Sequence, residues 1–142
     1  MHKKLLLLFV LCLFMCAAGS AKDGTPHVVK RFNLYNQTGP IGPITLYTPK
    51  RSGMFRVNTF MVITVGNGKQ GYLAGVVGFT DRVGPGQVDG TSNTGVYTAN
   101  RGDAISGTIP VPDEGGQPLT FSVYAQDWQG AQYNVYIVVE EL

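Results

Sequence analysis

Residues 54–65, MFRVNTFMVITV, carry the strongest β-strand signal in the chain. Apolar and other side chains alternate with a period of two, which is typical of a strand with one buried face. The predicted buried face consists of Phe55, Val57, Met61, Ile63 and Val65. The sequence continues as GNGKQG and then as YLAGVVGFTD (72–81), and Asn-Gly is a favoured pair for a tight turn between strands. Residues 54–81 are therefore predicted to form a β-hairpin.

The same pattern recurs along the chain and predicts an all-β protein. No segment after residue 25 combines helical spacing of apolar residues with good helix formers, and Gly and Pro are frequent throughout. Besides 54–65, strands are predicted at 28–35, 44–48, 72–81, 95–99, 104–111, 119–125 and 132–141, with a long loop at 82–95. About eight short strands favour an antiparallel β-sandwich of jelly-roll type. A closed barrel is the alternative.

The first 21 residues have the layout of a secretory signal peptide. A short basic segment precedes an apolar run at 5–18, which is too short to span a bilayer comfortably. We predict cleavage after Ala21, localisation to the periplasm, the cell surface or the medium, and no membrane insertion of the mature chain. Lipid attachment at Cys16 is a less favoured alternative, because Met15 stands where bacterial lipoproteins have a small residue.

Residues 22–142 are predicted to fold as one β-sandwich domain without disulfides. Both cysteines lie in the predicted signal peptide, so packing alone must stabilise the rest. Two of the 11 Lys and Arg residues are also in that peptide, which leaves nine against nine Asp and Glu residues. A neutral chain with scattered charges lacks the basic surface that nucleic acids or anionic membranes require.

Side chains suited to catalysis are few. His27 is the only histidine after the predicted cleavage site, and the serines have no strand–turn–helix context for a nucleophile. The acidic residues of predicted turns are Asp81, Asp89, Asp103, Asp113, Glu114 and Asp127. Aspartates in turns usually accept hydrogen bonds from their own backbone. We predict no enzyme activity, no cofactor and no metal site. The least favoured alternative is a hydrolase in which two carboxylates converge, out of Asp81, Asp103, Asp113, Glu114 and Asp127.

The last predicted strand, 132–141, is apolar on both faces. One face carries Tyr133, Val135, Ile137 and Val139, and the other carries Tyr136 and Val138. Because an antiparallel sheet usually has one polar face, either a loop or a second subunit is expected to cover the outer side. A homo-oligomer or a contact with another surface protein is therefore the leading hypothesis for a partner.

A glycan is the alternative partner, because aromatic rings with polar edges can stack on sugars. Trp128 lies in the turn QDWQG, between two strands that carry several tyrosines. We expect it to pack inward at one end of the sandwich rather than to be exposed, since large aromatic side chains are mostly buried. The candidate contact residues are Tyr124, Trp128, Tyr133, Tyr136 and Val138.

The tripeptide Arg101-Gly102-Asp103 is the sequence that animal integrins bind. Gly and Asp are also what a tight connection between two strands requires, since Gly tolerates positive φ and Asp bonds its own backbone. We predict a turn between the fifth and sixth strands, with integrin adhesion as a minor alternative.

The chain resembles a group of small β-rich proteins of unknown function, found in bacteriophage structural regions and among secreted bacterial proteins. The resemblance covers about residues 36–142 and is carried by TLYTP, SGMFRV and the closing GAQYNVYIVVEEL. It implies a β-sandwich with a structural or binding role and no catalytic residue. The leading prediction is a secreted, non-enzymatic structural or surface-interaction module that self-assembles, with a carbohydrate-binding module as the alternative.

Overall fold

The computed structural model describes residues 25–89 and 100–142, and the regular structure in these ranges is entirely β. The strands are β1 (His27–Gln37), β2 (Ile41–Tyr47), β3 (Gly53–Val65), β4 (Tyr72–Thr80), β5 (Pro85–Asp89), β6 (Ala104–Asp113), β7 (Leu119–Gln126) and β8 (Gln132–Glu141). The prediction of an all-β chain is confirmed. The predicted signal peptide and the predicted strand at 95–99 lie outside the described residues.

The strands form two antiparallel four-stranded sheets packed face to face. Sheet A has the order β1-β8-β3-β6, and sheet B has the order β2-β7-β4-β5. This interleaved order is that of a jelly roll, and all successive strands except β4 and β5 lie in different sheets. The predicted β-sandwich of jelly-roll type is confirmed, and the barrel alternative is wrong because the two sheets stay separate.

The predicted hairpin at 54–81 is wrong, because β3 belongs to sheet A and β4 to sheet B. Gly68 has a φ of 73°, so the Asn-Gly pair does supply the expected left-handed residue. Its turn lies inside a longer connection that crosses from one sheet to the other. The Asn67 amide donates to the carbonyls of Asp127 and Gln129 at 2.9 and 3.0 Å, which ties this crossing to the one between β7 and β8.

Strand β5 lies where the sequence predicts a loop. Its segment Pro-Gly-Gln-Val-Asp contains residues that usually mark turns. The strand pairs only with β4, at the edge of sheet B. Pro85 is its first residue, where the lack of an N–H group costs the ladder little hydrogen bonding. The only hairpin between described strands is therefore β4–β5, closed by the turn at residues 81–84.

One hydrophobic core fills the space between the sheets. Sheet A contributes alternate residues of β3 and β8, so the predicted buried faces of these strands are confirmed apart from Val65, which is 44% exposed at the strand end. Sheet B contributes Leu73, Val77, Phe121 and Val123 from its two central strands. The core lies between the sheets because each strand turns every second side chain inward.

Gly75 of β4 lies directly beneath the ring of Phe121, its neighbour on β7, and its substitution provides a test of the core packing. A Cβ at this position would lie 2.9 Å from two ring atoms of Phe121 and 3.6 Å from Met61 of sheet A. We expect Gly75→Ala to lower the free energy of unfolding by about 1–3 kcal/mol, as overpacking of a core does.

Gly42 of β2 provides the matched control, because a Cβ there would have no neighbour within 4 Å. Gly42→Ala should leave stability unchanged or raise it by about 0.5 kcal/mol, since alanine loses less backbone entropy on folding. Urea unfolding of both variants checks the pair. Equal effects of the two substitutions would contradict the packing described for Gly75.

Candidate functional site

The outer face of sheet A, called here the A face, exposes several large apolar side chains to solvent. Val28, Tyr35, Met54 and Phe60 are each 42–55% exposed on this face. Tyr136 and Val138 of β8 lie between them and are half-buried. Since single exposed apolar residues are ordinary but contiguous ones are not, the A face is the candidate interaction surface.

Three aromatic rings form a cluster across β1, β8 and β3. The rings of Tyr35 and Tyr136 meet edge to face with centroids 5.9 Å apart, and those of Phe60 and Tyr136 lie 6.1 Å apart. Phe60 and Tyr136 are also direct partners in the strand register. Next to Phe60, β6 presents the small side chain of Ser106, so nothing bulky on that strand shields the ring.

Side-chain amides hold the tyrosines of this cluster. The amides of Asn33 and Asn134 donate to the hydroxyls of Tyr35 and Tyr136, each at 3.3 Å. Asn134 also accepts the backbone N–H of Asn36 at 2.9 Å, where the register of β1 shifts and Asn36 has a positive φ. These bonds restrict the rings, so a partner would meet a surface that is already ordered.

A polar network crosses the middle of the A face. Arg56 donates to Glu140 at 2.7 Å, and Asn58 donates to the same carboxylate oxygen at 2.9 Å. Asn58 in turn accepts the Thr108 hydroxyl at 2.9 Å, which extends the network to β6. The Arg56 hydrogen bond is the main cause that lowers the pKa of Glu140 below its ordinary value of 4.5.

The predicted contact residues do not come together. Tyr136 and Val138 lie on the A face, as the two-faced pattern of 132–141 indicates, and β8 is a central strand of sheet A. Tyr133 is buried in the core, and Tyr124, 57% exposed, lies on the outer face of sheet B. Phe60 and Tyr35 were not among the predicted contacts. The sequence could have predicted Phe60 as a contact, because it is a large aromatic residue on the solvent-facing side of 54–65, the side that also carries Arg56 and Asn58.

Trp128 packs at one end of the sandwich, against the connection between β1 and β2. It is half-buried, and a Cβ on Gly39 would lie 3.0 Å from its ring. Tyr133 donates its hydroxyl to the Gly39 carbonyl, and burial raises the pKa of Tyr133. The Trp128 carbonyl accepts the N–H of the buried Ala131 at 2.8 Å. These contacts agree with the expected inward packing of Trp128, whereas a role in binding glycans stays a prediction.

The Arg-Gly-Asp turn extends the β3–β6 ladder. Gly102 has the expected positive φ of 95°, and Gly102 and Asp103 exchange two 2.8 Å hydrogen bonds with Ile63. Because residues directly opposite in a ladder share a face, Asp103 lies on the core side with Ile63. One of its carboxylate oxygens is buried and has no hydrogen-bond partner within 25–89 and 100–142. Arg101 is exposed.

The turn carboxylates with defined contacts bind backbone groups. Asp81 accepts the N–H groups of Val83 and Gly84 at 2.8 and 3.0 Å. Asp113, which is buried, accepts the N–H of Gly115 at 2.7 Å. These are the structural roles that turn chemistry predicts for both residues.

Asp103 and Asp127 lie near the end of the sandwich that is opposite to Asp113. The full length of the β3–β6 ladder separates Asp103 from Asp113. The described part of the chain contains no group of three His, Cys, Asp or Glu side chains that could hold a metal ion. The described residues also include no helix long and apolar enough to cross a membrane.

Comparison with known proteins yields structural likeness and no family. No protein-family model matches the chain, and no curated protein matches it. A chain of the infectious bursal disease virus Gx strain aligns with 82% of this chain and 32% of its own length, at 14% identity and a TM-score of 0.49. The VP2 subviral particle of that virus aligns with 87% of this chain and 36% of its own chain, at 14% identity and a TM-score of 0.48.

A third structure, the T13 viral particle of the same virus, aligns with 82% of this chain at 14% identity and a TM-score of 0.44. The chain spans about a third of the length of these viral chains, 32–36%. At such identities and TM-scores the likeness carries no argument about function, so the function has to be argued from the surfaces themselves.

The lowered pKa of Glu140 makes the polar network of the A face sensitive to acid. A carboxylate with a lowered folded pKa contributes stability above its ordinary pKa of 4.5 and loses it as the pH falls through the lowered value. Glu140→Gln should therefore reduce the urea midpoint at pH 7, and the difference from the unsubstituted protein should shrink below pH 4.5.

Glu114 is the control for this experiment, because its 3.6 Å contact with Arg82 lies on an exposed turn. Glu114→Gln should change the midpoint little at either pH, since exposed ion pairs contribute little. A Glu140→Gln effect that is the same at pH 7 and in strong acid would contradict the stabilising role of the ionised carboxylate.

Proposed function

We propose that this protein is a non-enzymatic assembly module in which the A face binds a second copy of the chain. The observation that carries the proposal is the exposed cluster of Tyr35, Phe60 and Tyr136, and Val28 and Met54 add exposed apolar surface on the far side of the polar network. Rings that are ordered by neighbouring amides lose little entropy on contact, which favours their use at an interface.

The area of the A face supports a second copy as the partner. Four strands about 4.8 Å apart, each about ten residues long at about 3.3 Å per residue, present roughly 600 Å². A face-to-face contact would therefore bury about 1,200 Å² in total, which is the lower bound of stable specific interfaces. A dimer of moderate affinity is the expected product.

Charge on the A face also permits self-association. Arg56 and Glu140 form an ion pair at 2.7 Å, so their charges cancel. Arg31 also lies on the A face, opposite Val138, and adds one positive charge there. Two copies would therefore meet without strong repulsion. One oxygen of the Glu140 carboxylate already accepts two hydrogen bonds, from Arg56 and Asn58, before contact, which lowers the cost of burying the ion pair.

The edges of sheet A are less suited to assembly than its face. Strand β6 carries Pro110 and Pro112, which cannot donate to an added strand. Strand β1 has register shifts between Val28 and Lys30 and between Leu34 and Gln37, which interrupt a regular edge. Edge-to-edge addition of strands is therefore disfavoured relative to contact through the outer face.

Substitution of Phe60 tests the proposal. A carboxylate at its position would be buried against the partner without a counter-charge, so Phe60→Asp should weaken dimerisation by roughly tenfold or more. Sedimentation velocity of the purified protein across a concentration series measures the change. Circular dichroism and urea unfolding verify that the variant folds, which is expected because Phe60 is 42% exposed.

The control is Tyr124→Asp, since Tyr124 is an aromatic residue of similar exposure on the opposite face of the sandwich. It should leave the dimerisation constant unchanged. A protein that stays monomeric at every concentration would refute the proposal. So would dissociation by Tyr124→Asp but not by Phe60→Asp, because the contact would then be on sheet B.

The proposed site of action is outside the cytoplasm, which rests on the predicted signal peptide. Mass spectrometry of the exported protein should give a chain that begins at Lys22, because the small residues before it suit signal peptidase. A chain that begins at a lipidated Cys16 would instead support membrane anchoring, and retention of residues 1–21 would contradict export by this route.

A further inference from the structure

We propose that a groove on the outer face of sheet B binds a neutral oligosaccharide. The groove has a volume of about 590 Å³, which is within the range of small-molecule sites. It lies where β4, β5 and the segment before β7 meet, on the side of the sandwich opposite the A face. Its lining consists of Gly78, Phe79, Thr80, Pro85, Gly86, Gln87, Gln117, Pro118 and Thr120.

The floor of the groove depends on Gly78. This residue lies opposite Thr120 of β7 and Gln87 of β5, and a Cβ on it would collide with the Thr120 hydroxyl. The absence of a side chain therefore lets the Thr120 hydroxyl lie over the Gly78 backbone, where it can face a ligand in the groove. Pro85 and Pro118 form part of the rim, and their fixed φ makes that rim rigid before a ligand arrives.

The chemistry of the lining selects an uncharged ligand rich in hydroxyl groups. Two primary amides, of Gln87 and Gln117, and two hydroxyls, of Thr80 and Thr120, can each donate and accept hydrogen bonds. Vicinal hydroxyls of a sugar do the same, whereas the proline rings match the apolar C–H faces of a sugar ring. None of the residues that line the groove is charged, so an anionic ligand would find no counter-charge.

Charged groups beside the groove are already engaged. Asp81, in the turn that joins β4 to β5, accepts two N–H groups of its own turn. Arg82 of the same turn lies 3.6 Å from Glu114. This site differs from the glycan contact predicted around Trp128 and Tyr124, because neither residue lines the groove.

Titration of the purified protein with three neutral trisaccharides, maltotriose, cellotriose and triacetylchitotriose, tests the proposal by ¹H–¹⁵N NMR. At least one of them should shift the amide signals of Gly78, Gly86 and Thr120 in a saturable manner. Gln87→Ala and Gln117→Ala should each weaken that binding by roughly fivefold, which is the effect of losing one hydrogen-bonding group. Gln126→Ala is the matched control, because this exposed glutamine ends β7 outside the groove.

The proposal would be overturned if no trisaccharide shifted these signals, or if Gln126→Ala weakened binding as much as the groove variants. Shifts caused by a decaproline peptide but by none of the sugars would also overturn it, since the groove would then be a site for proline-rich peptides. Repeating the titration with Phe60→Asp separates this proposal from self-assembly. Sugar binding should persist in that variant whether or not the A face forms a dimer.

Discussion

Burial of one apolar layer between two sheets is the constraint on which the rest of this structure depends. Phe55 and Val135 of sheet A meet Phe121 and Val77 of sheet B in an interior from which water is excluded. No cysteine follows residue 16, so no disulfide can replace this packing if the predicted leader is removed. The core is packed so closely that a methyl group at Gly75 would collide with the ring of Phe121 on the neighbouring strand.

All successive strands except β4 and β5 cross from one sheet to the other, and the crossings are held by their own contacts. Asn67 ties the β3–β4 crossing to the β7–β8 turn, and Trp128 packs against Gly39 of the β1–β2 connection at the same end. At the other end the buried Asp113 holds its own turn. Trp128 and Asp113, which the sequence offers as candidate functional residues, therefore stabilise the connections between strands.

The outer faces of the two sheets differ in chemistry. The A face combines an ordered aromatic cluster with an internally neutralised ion pair, which suits contact with another protein surface. Sheet B presents an uncharged groove between Thr120 and Gln87, with amide and hydroxyl groups that suit a sugar. The two proposed sites lie on opposite sides of the sandwich, so a dimer formed through the A face would carry two outward-facing grooves.

The sequence by itself determined the strand class and most strand positions, because alternation with a period of two at 54–65 and 132–141 reflects local pleat geometry. It also located the outer-face residues Tyr136 and Val138. Only the tertiary structure decided which strands pair. It placed β3 and β4 in different sheets and β5 at the edge of sheet B. The cluster of Tyr35, Phe60 and Tyr136 likewise comes from three strands that are distant in the chain. Alternation specifies which face of a strand is buried, but the partner of that strand depends on packing across the whole core.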